Sequence, residues 1–508
     1  MNVHRNVIAN FVGQGWVAIV TIMFVPLYIR LLGLQSYALI GIYAALQVWL
    51  ALLDLGMSPT LGREMARFSA GITSPRGIRD LLRSVEVICG GIAIAAALGI
   101  AAGASYAARD WLNSTLPFET LRNAMVLIGV VVAMRFCESV YRSALFGLER
   151  QVWYNAVNVV LATLRFGGAA LVLYLLSPTI MAFFLWQLAV SILALILLGQ
   201  KVHRVLPDAP GRTSFSWDAV KEIRAFAAGM IGINVLALIL SQADKVILSK
   251  ALPLASFGYY TLATTMCGVV VAATGPITQA IYPALTRHGS AGETRAFHAA
   301  YHWGAQAVTI AAGTITAMFV LFPEDIIRAW SGDAELARST GGILRYLALA
   351  VFTNSLMQIP YFAMLALGKT GFSIRVNVIA VLVEVPLLIW AVPQWGGVGA
   401  GAVLLVVNAG VLLISAPLLH RAYFAQLFSS WALGDLAAPI GAIGVIAIMA
   451  RVVAPTVSSR IICLLYLGAV GASCLIGGLL ASSRFRPIVV AGLLRSMRRQ
   501  PVAADTHG

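Results

Sequence analysis

Arg135, Glu138 and Arg142 stand three and four residues apart in an otherwise apolar stretch, "MVLIGVVVAMRFCESVYRSALFG" (125–147). Helical spacing puts all three on one face. A guanidinium is suited to gripping a phosphate with two parallel hydrogen bonds, and a carboxylate beside it can titrate or tune it. Arg165 lies seven residues past Asn158, and Glu384 seven past Asn377. One could engage an anion, the other could titrate or take a cation during coupling. Asp244 and Lys245 sit side by side in "LSQADKVILSK" (240–250), with Lys250 close behind. Neighbouring helical residues point to different faces, so Asp244 and Lys245 are expected not to pair. Each residue also has a plainer reading. The Arg135–Glu138–Arg142 set could be an internal salt-bridge set with Arg142 reaching out to the membrane interface. Arg165 and Glu384 could each find a partner in their own half, and Lys245 and Lys250 could snorkel. Asp244 is too short to snorkel far and is expected to face protein or water.

The elements that must hold these charges follow from composition. Of 508 residues 60% are apolar and only 11% charged, with a mean hydropathy of +0.88. A soluble domain carries roughly 25% charged residues. The apolar runs are long and unbroken, about 20 residues each, which fits membrane-crossing helices and not barrel strands of roughly 10 alternating residues. The fold class is all-α, a polytopic membrane protein with about 14 transmembrane helices. They are placed at 7–32, 36–56, 84–107, 119–146, 151–176, 179–200, 225–250, 255–280, 300–322, 341–367, 370–392, 397–420, 434–453 and 460–481. The first run is too long for a signal h-region and has no clear A-x-A site, so it is expected to remain as a span. Inside a bilayer an ionisable side chain is costly and marks a pathway or a site.

The net charge is +15. Basic residues cluster at 63–83, 201–224 and 484–499, and an even number of spans puts these segments and both termini on one side. The segments 108–119 and 323–335 are more acidic. The positive-inside rule accounts for this pattern with both termini cytoplasmic, so no nucleic-acid partner is expected; the bilayer is the partner. Arg30 closes the first span at the level of Asp244 and Lys245. Asp54 and Arg63 stand at the cytoplasmic end as structural ties or a gate. Cysteines 89, 137, 267, 463 and 474 all fall within spans and lack zinc-like spacing, so they read as small apolar fillers.

The chain carries traces of duplication. Residues 30–46, "RLLGLQSYALIGIYAAL", align with 250–266, "KALPLASFGYYTLATTM"; "VNVV" (157–160) aligns with "VNVI" (376–379) at nearly the same offset. A repeat of six spans keeps its orientation, so the halves relate by an axis along the membrane normal, an arrangement that commonly encloses a site used by alternating access. The expected organisation is an N-terminal half (1–215), a C-terminal half (216–428), two additional helices (429–483) and a basic cytoplasmic tail (484–508).

The opening, "NFVGQGWVAIVTIMFVPLYIRLLGLQSYALIGIYAALQVWLALLDLGMSPTLGREMA", resembles that of the polysaccharide flippases of the multidrug/oligosaccharidyl-lipid/polysaccharide (MOP) exporter superfamily. The matching features are a Pro within the first span, R-x-L-G at its end, an aromatic four residues later, "LLDLG" and a following Arg. "FGLERQVWYN" (146–155), "ADKVILSKALPLASFGYYTLA" (243–263) and "IYPALTR" (281–287) also resemble family landmarks. Ala38 stands where members usually have Gly. The resemblance implies a transporter and not an enzyme. It would move an undecaprenyl-pyrophosphate-linked oligosaccharide from the cytoplasmic to the periplasmic leaflet of the bacterial inner membrane, for O-antigen, capsule or exopolysaccharide assembly. It also implies a polysaccharide polymerase and chain-length machinery as partners. On that reading Arg30, Arg135, Arg165, Asp244 and Lys245 bind substrate, and Asp54, Arg63, Glu138 and Glu384 couple or gate. Without an ATPase motif, energy would come from an ion gradient or from downstream consumption, so the coupling ion would be H+, Na+ or neither, and no cofactor or metal is expected.

Two motifs are decoys. "ALGKTG" (366–371) contains GKT, but residue 363 is Ala where a P-loop needs Gly. His298 and His302 in "HAAYH" lack a third ligand and suit an interfacial helix better than a metal site. Two other functions compete with flipping. A drug, metabolite or lipid II exporter of the same superfamily differs in cargo; a cation exporter would favour carboxylates where arginines prevail here. A membrane glycosyltransferase, polymerase or ligase needs a sizeable extramembrane loop, and none exceeds roughly 30 residues, well short of a domain.

Overall fold

A computed structural model describes residues 3–491 apart from 55, 70, 73, 208–214, 216–234, 237, 370 and 455–458; for residues 3–12 it describes the backbone only. The described residues form helices joined by turns and loops, and their single bridge joins Asn113 and Pro253. Twelve helices among them are long and apolar enough to cross a membrane. One of these, Gly371–Tyr423, is two expected spans run together: Gly396, at φ 57°, ψ −138°, breaks the helical path between them. Of the span expected at 225–250, residues 225–234 and 237 lie outside the described residues, and 235–236 and 238–250 are helical. Every other expected span has its helix. The chain is thus a multi-pass membrane protein, its backbone groups satisfied within each helix as a bilayer demands.

The helices group into two compact units. The first comprises Met1–Leu262 with Asn377–Ala400, the second Ala263–Val376 with Gly401–Gly508. The boundary expected at 215/216 adjoins residues outside the described ones. Residues 377–400, with Glu384, group with the first unit.

In the first unit, Phe118–Gly147 is the central helix, with Leu121, Ala124, Ile128, Val131, Val132 and Ala144 buried along it. Pro75–Tyr106, Ile180–Val205 and the short helix Met57–Ser69 pack on it. The last contact is very close: a Cβ on Gly147 would run into the Gly62 carbonyl. Only glycine permits such an approach of two backbones, as small residues do in membrane helix pairs generally. Met57–Ser69 buries Leu61 and Met65 and turns Arg63 and Arg67 outward, each paired with Glu64 between them, at 3.0 and 3.1 Å.

In the second unit, Thr294–Leu321 is central. Phe297 and Tyr301 pack with His420, Phe424 and Trp431. The additional helices, Ala438–Val452 and Arg460–Ala481, pack on Thr294–Leu321 too. A polar clasp marks their junction. His302 Nδ1 is 2.5 Å from Asp435 Oδ2, Gln306 Nε2 donates to Asp435 Oδ1 at 2.7 Å, and the Gln306 carbonyl oxygen accepts from the Ser482 hydroxyl. His302 therefore belongs to a membrane-length helix and serves as a partner for a buried aspartate. The expected interfacial helix is not what forms here. Among the described residues no three His, Cys, Asp or Glu side chains converge as metal ligands.

Candidate functional site

Inside the first unit lies a cavity of about 500 Å³. Its polar wall comes from the central helix (Arg135, Glu138, Ser139, Arg142), from Gln47 on Leu34–Leu52, from Asp54 and Ser58 beyond that helix, and from Tyr154 and Asn158 on Gln151–Thr163. Arg135, Glu138 and Arg142 share one face, as their spacing requires. The cavity reading and the salt-bridge reading both hold in part: Arg135 Nη1 donates to Glu138 Oε2 at 3.2 Å while its side chain stays 32% exposed. Arg142 is exposed on the wall.

Arg165 stands behind that wall. Its Nη2 donates to both oxygens of Glu138 at 2.7 Å, and its side chain is 7% exposed. It does not line the cavity; it is bonded to Glu138, which in turn is bonded to Arg135. Glu138 lies between two guanidiniums, and the wall keeps cationic character despite its carboxylate.

A local irregularity puts Arg165 there. Residues Leu164–Gly168 form a π-helical turn between Gln151–Thr163 and Ala169–Leu175. A π turn frees carbonyls from the usual ladder, and such turns gather at functional sites. Here each finds a donor: Leu164 O accepts from Trp186 Nε1 at 2.7 Å, Arg165 O from Gln187 Nε2 at 3.0 Å, and Phe166 O from the Tyr28 hydroxyl at 2.6 Å. Gly168 makes room for this, since a Cβ there would sit 2.6 Å from the Trp186 ring.

At the rim, Asp54 accepts from the Ser58 hydroxyl at 2.6 Å and from its backbone N–H at 3.1 Å. Burial holds the Asp54 carboxyl above the usual aspartate range, against the pull of those hydrogen bonds and of Arg142. Asp54 and Ser58 thus shape the wall as a cap over the start of Met57–Ser69.

A second polar cluster in the same unit surrounds Asp244, which is 4% exposed. Its Oδ2 accepts from the buried Tyr260 hydroxyl at 2.5 Å. Lys245 folds back along the helix, placing Nζ 3.3 Å from Asp244 Oδ1 and 2.9 Å from the Ser241 carbonyl. The expectation that these neighbours do not pair is therefore corrected: the four-carbon stem of lysine reaches across faces that the Cβ directions separate. Asp244 and Lys245 act electrostatically on Glu384. Glu384 is 3% exposed and its Oε1 has no hydrogen-bond partner among the described residues, which is also true of the buried Gln242 Oε1.

The predicted residues therefore fall into several places. Arg135, Glu138 and Asp54 meet at the cavity, Arg165 supports it, and Asp244, Lys245 and Glu384 form a separate buried cluster. Arg30 is exposed in the last turn of Val25–Leu32 and joins neither. Arg63 is exposed and tied to Glu64. Sequence reasoning missed Gln47, Tyr154 and Asn158. A signal existed: Gln47, Asp54 and Ser58 recur every three to four residues or multiples thereof, as do Tyr154, Asn158 and Arg165.

Comparison with known proteins gives the same class. Solved structures of other proteins share the fold, among them three transporters. The lipid II flippase MurJ, in an inward closed conformation, matches at TM-score 0.66 and 13% identity over 96% of this chain and 99% of its own. An inward-facing multidrug resistance MATE family transporter of the MOP superfamily matches at 0.60 and 12%, over 83% and 96%. The MATE transporter VcmN from Vibrio cholerae matches at 0.54 and 14%, over 82% and 99%. The fold is that of a MOP-type transporter. Residues 3–288 match the family described as polysaccharide biosynthesis protein, and the chain belongs to that family. No curated protein matches the sequence.

Proposed function

We propose that this transporter flips an undecaprenyl-pyrophosphate-linked oligosaccharide from the cytoplasmic to the periplasmic leaflet of the bacterial inner membrane, supplying O-antigen or exopolysaccharide assembly. The observation that carries this reading is the cavity wall on which Arg135 is partly exposed while Glu138 and Arg165 fix it from behind. A pyrophosphate headgroup loses hydration in a low-dielectric core, and a guanidinium held in place offsets that loss. About 500 Å³ is within the range of roughly 300–1,000 Å³ typical of small-molecule sites. It suits a pyrophosphate with its first sugar, whose hydroxyls would meet Gln47, Ser139, Tyr154 and Asn158.

The Asp244–Lys245–Glu384 cluster supports a coupling role. A buried carboxylate oxygen without a partner favours a proton or a small cation, and Lys245 can exchange its attention between two acids. Binding of H+ or Na+ at Glu384 would then bias one conformation over another. Polymerase and chain-length machinery would take the product at the periplasmic face.

The test is an assay of which leaflet holds the lipid-linked glycan, in cells lacking the gene and complemented with wild type or Arg135→Ala. Trapping of the glycan on the cytoplasmic face with the variant, despite normal insertion, supports the reading. Periplasmic glycan in cells without the gene would overturn it, leaving another cargo of the same transporter class.

A further inference from the structure

Another cavity of the first unit, of about 260 Å³, is set apart from the cationic cavity and the Asp244 cluster by its chemistry. Its walls are apolar: Ile42, Leu46 and Trp49 on Leu34–Leu52, Tyr106 and Trp111 at and beyond the end of Pro75–Tyr106, and Met125 on the central helix. Lys245 also lines it, but its ammonium is committed to Asp244 and the Ser241 carbonyl. What it offers the cavity is its methylene stem.

The mouth is built with care. Residues Ala107–Trp111 form a π-helical turn that carries Trp111 to the cavity, where its Nε1 donates to the Ser249 hydroxyl at 3.1 Å. The following loop is pinned to the opposite wall. Leu254 N donates to Asn113 O at 2.7 Å and Asn113 Nδ2 to Lys250 O at 3.2 Å. Lys250 lies over the Trp111 ring, Nζ 5.0 Å from its centroid. Among the described residues no carboxylate pairs with Lys250. Tyr106 is 54% exposed and Trp49 36%, an aromatic rim of the kind that marks the level of lipid headgroups.

We infer that this cavity is a binding site for an anionic glycerophospholipid of the surrounding leaflet, one acyl chain entering between Leu46, Trp49 and Met125 and the phosphate resting on Lys250. Three observations commit the occupant. The volume is below the roughly 300–1,000 Å³ of sites that enclose a whole small molecule, so it takes part of an amphiphile. The lining offers almost no polar group to a sugar. Lys250, with no carboxylate partner among the described residues, stands at the mouth, held by an aromatic ring at headgroup level, where a phosphate emerges from a chain seated below. Arg109 and Asp110 are both exposed on the same turn, with Arg109 over the Phe118 ring, so their charges offset and the turn is no general cation patch. The site also touches Lys245, so an occupied cavity stiffens the residue that faces Asp244.

The experiment measures lipid retained by the full-length protein in native mass spectrometry, after equilibration with phosphatidylglycerol, phosphatidylcholine or undecaprenyl phosphate. Wild type is expected to retain one phosphatidylglycerol in preference to phosphatidylcholine. Lys250→Gln should lower that preference about fivefold, the worth of one basic residue at an anionic surface. Ala45→Trp and Ala107→Trp fill the cavity from different helices, and either, if it elutes as a monodisperse protein, should abolish the tight copy. Unchanged retention in a monodisperse filled variant, or an unchanged preference in Lys250→Gln, overturns the site. Displacement of phosphatidylglycerol by equimolar undecaprenyl phosphate overturns the assignment in favour of a prenyl carrier. None of these outcomes depends on glycan flipping, so the inference can fail while the transport reading stands.

Discussion

Arg135 and Arg165 look alike in the sequence, yet they have different work and should fail differently. Arg165→Ala leaves the buried Glu138 with Arg135 as its remaining cation beside an empty space, a loss of about 3 kcal/mol, the lower end for a broken buried pair. Thermal unfolding in detergent should show it as a large drop, with transport lost as a consequence. Arg135→Ala removes a partly exposed partner and should unfold near the wild-type temperature while losing flipping. The pair Glu138→Gln with Arg165→Met should recover much of the stability and none of the transport. Asp54 offers a check by pH. Its folded carboxyl titrates above its unfolded value because of burial, so it favours the folded state when protonated and costs stability once ionised. Asp54→Asn should therefore raise the unfolding temperature at neutral pH. The gain should shrink as pH falls through the raised folded value towards the ordinary aspartate range.

At the scale of elements, apolar length and Gly or Pro punctuation made the spans readable, and thirteen of the expected placements have helices among the described residues. Arg135, Glu138 and Arg142 were readable as one face because helical periodicity fixes Cβ directions. Periodicity says nothing of how far a long side chain folds back, which is why the Lys245–Asp244 pair was missed. Nor does it expose a π turn. Nothing in "TLRFGG" distinguishes Leu164–Gly168 from ordinary helix except its two glycines, and the turn is what places Arg165 behind the wall. Gly168→Ala tests that point. The added methyl displaces Trp186 and frees the Leu164 carbonyl, an overpacking loss of about 1–3 kcal/mol. It should show as a lowered unfolding temperature with Arg135 untouched.

For the whole molecule, the question is how an ion or proton gradient would drive a cargo with no nucleotide motif in the chain. The cationic cavity and the acid cluster lie in one compact unit on separate helices. The repeat argument placed Arg165 and Glu384 in opposite halves; contacts group them together, a division that sequence offsets cannot see. Glu384→Gln removes a carboxylate whose Oε1 has no partner among the described residues. The buried oxygen is less costly in a neutral amide, so stability should hold or rise. Flipping in vesicles should lose its response to an imposed pH or Na+ gradient. An unaltered response would remove Glu384 from coupling.

The π turn at Leu164–Gly168 has one more consequence, in terms of mechanics. Its three carbonyls are bolted to Tyr28 on one helix and to Trp186 and Gln187 on another. Three bolts at one joint make a truss, so these helices should swing as a single lever when the transporter changes shape. The bending has to be taken up where no such bolts exist, at breaks such as Gly33, whose φ of 78° already turns the chain between two spans.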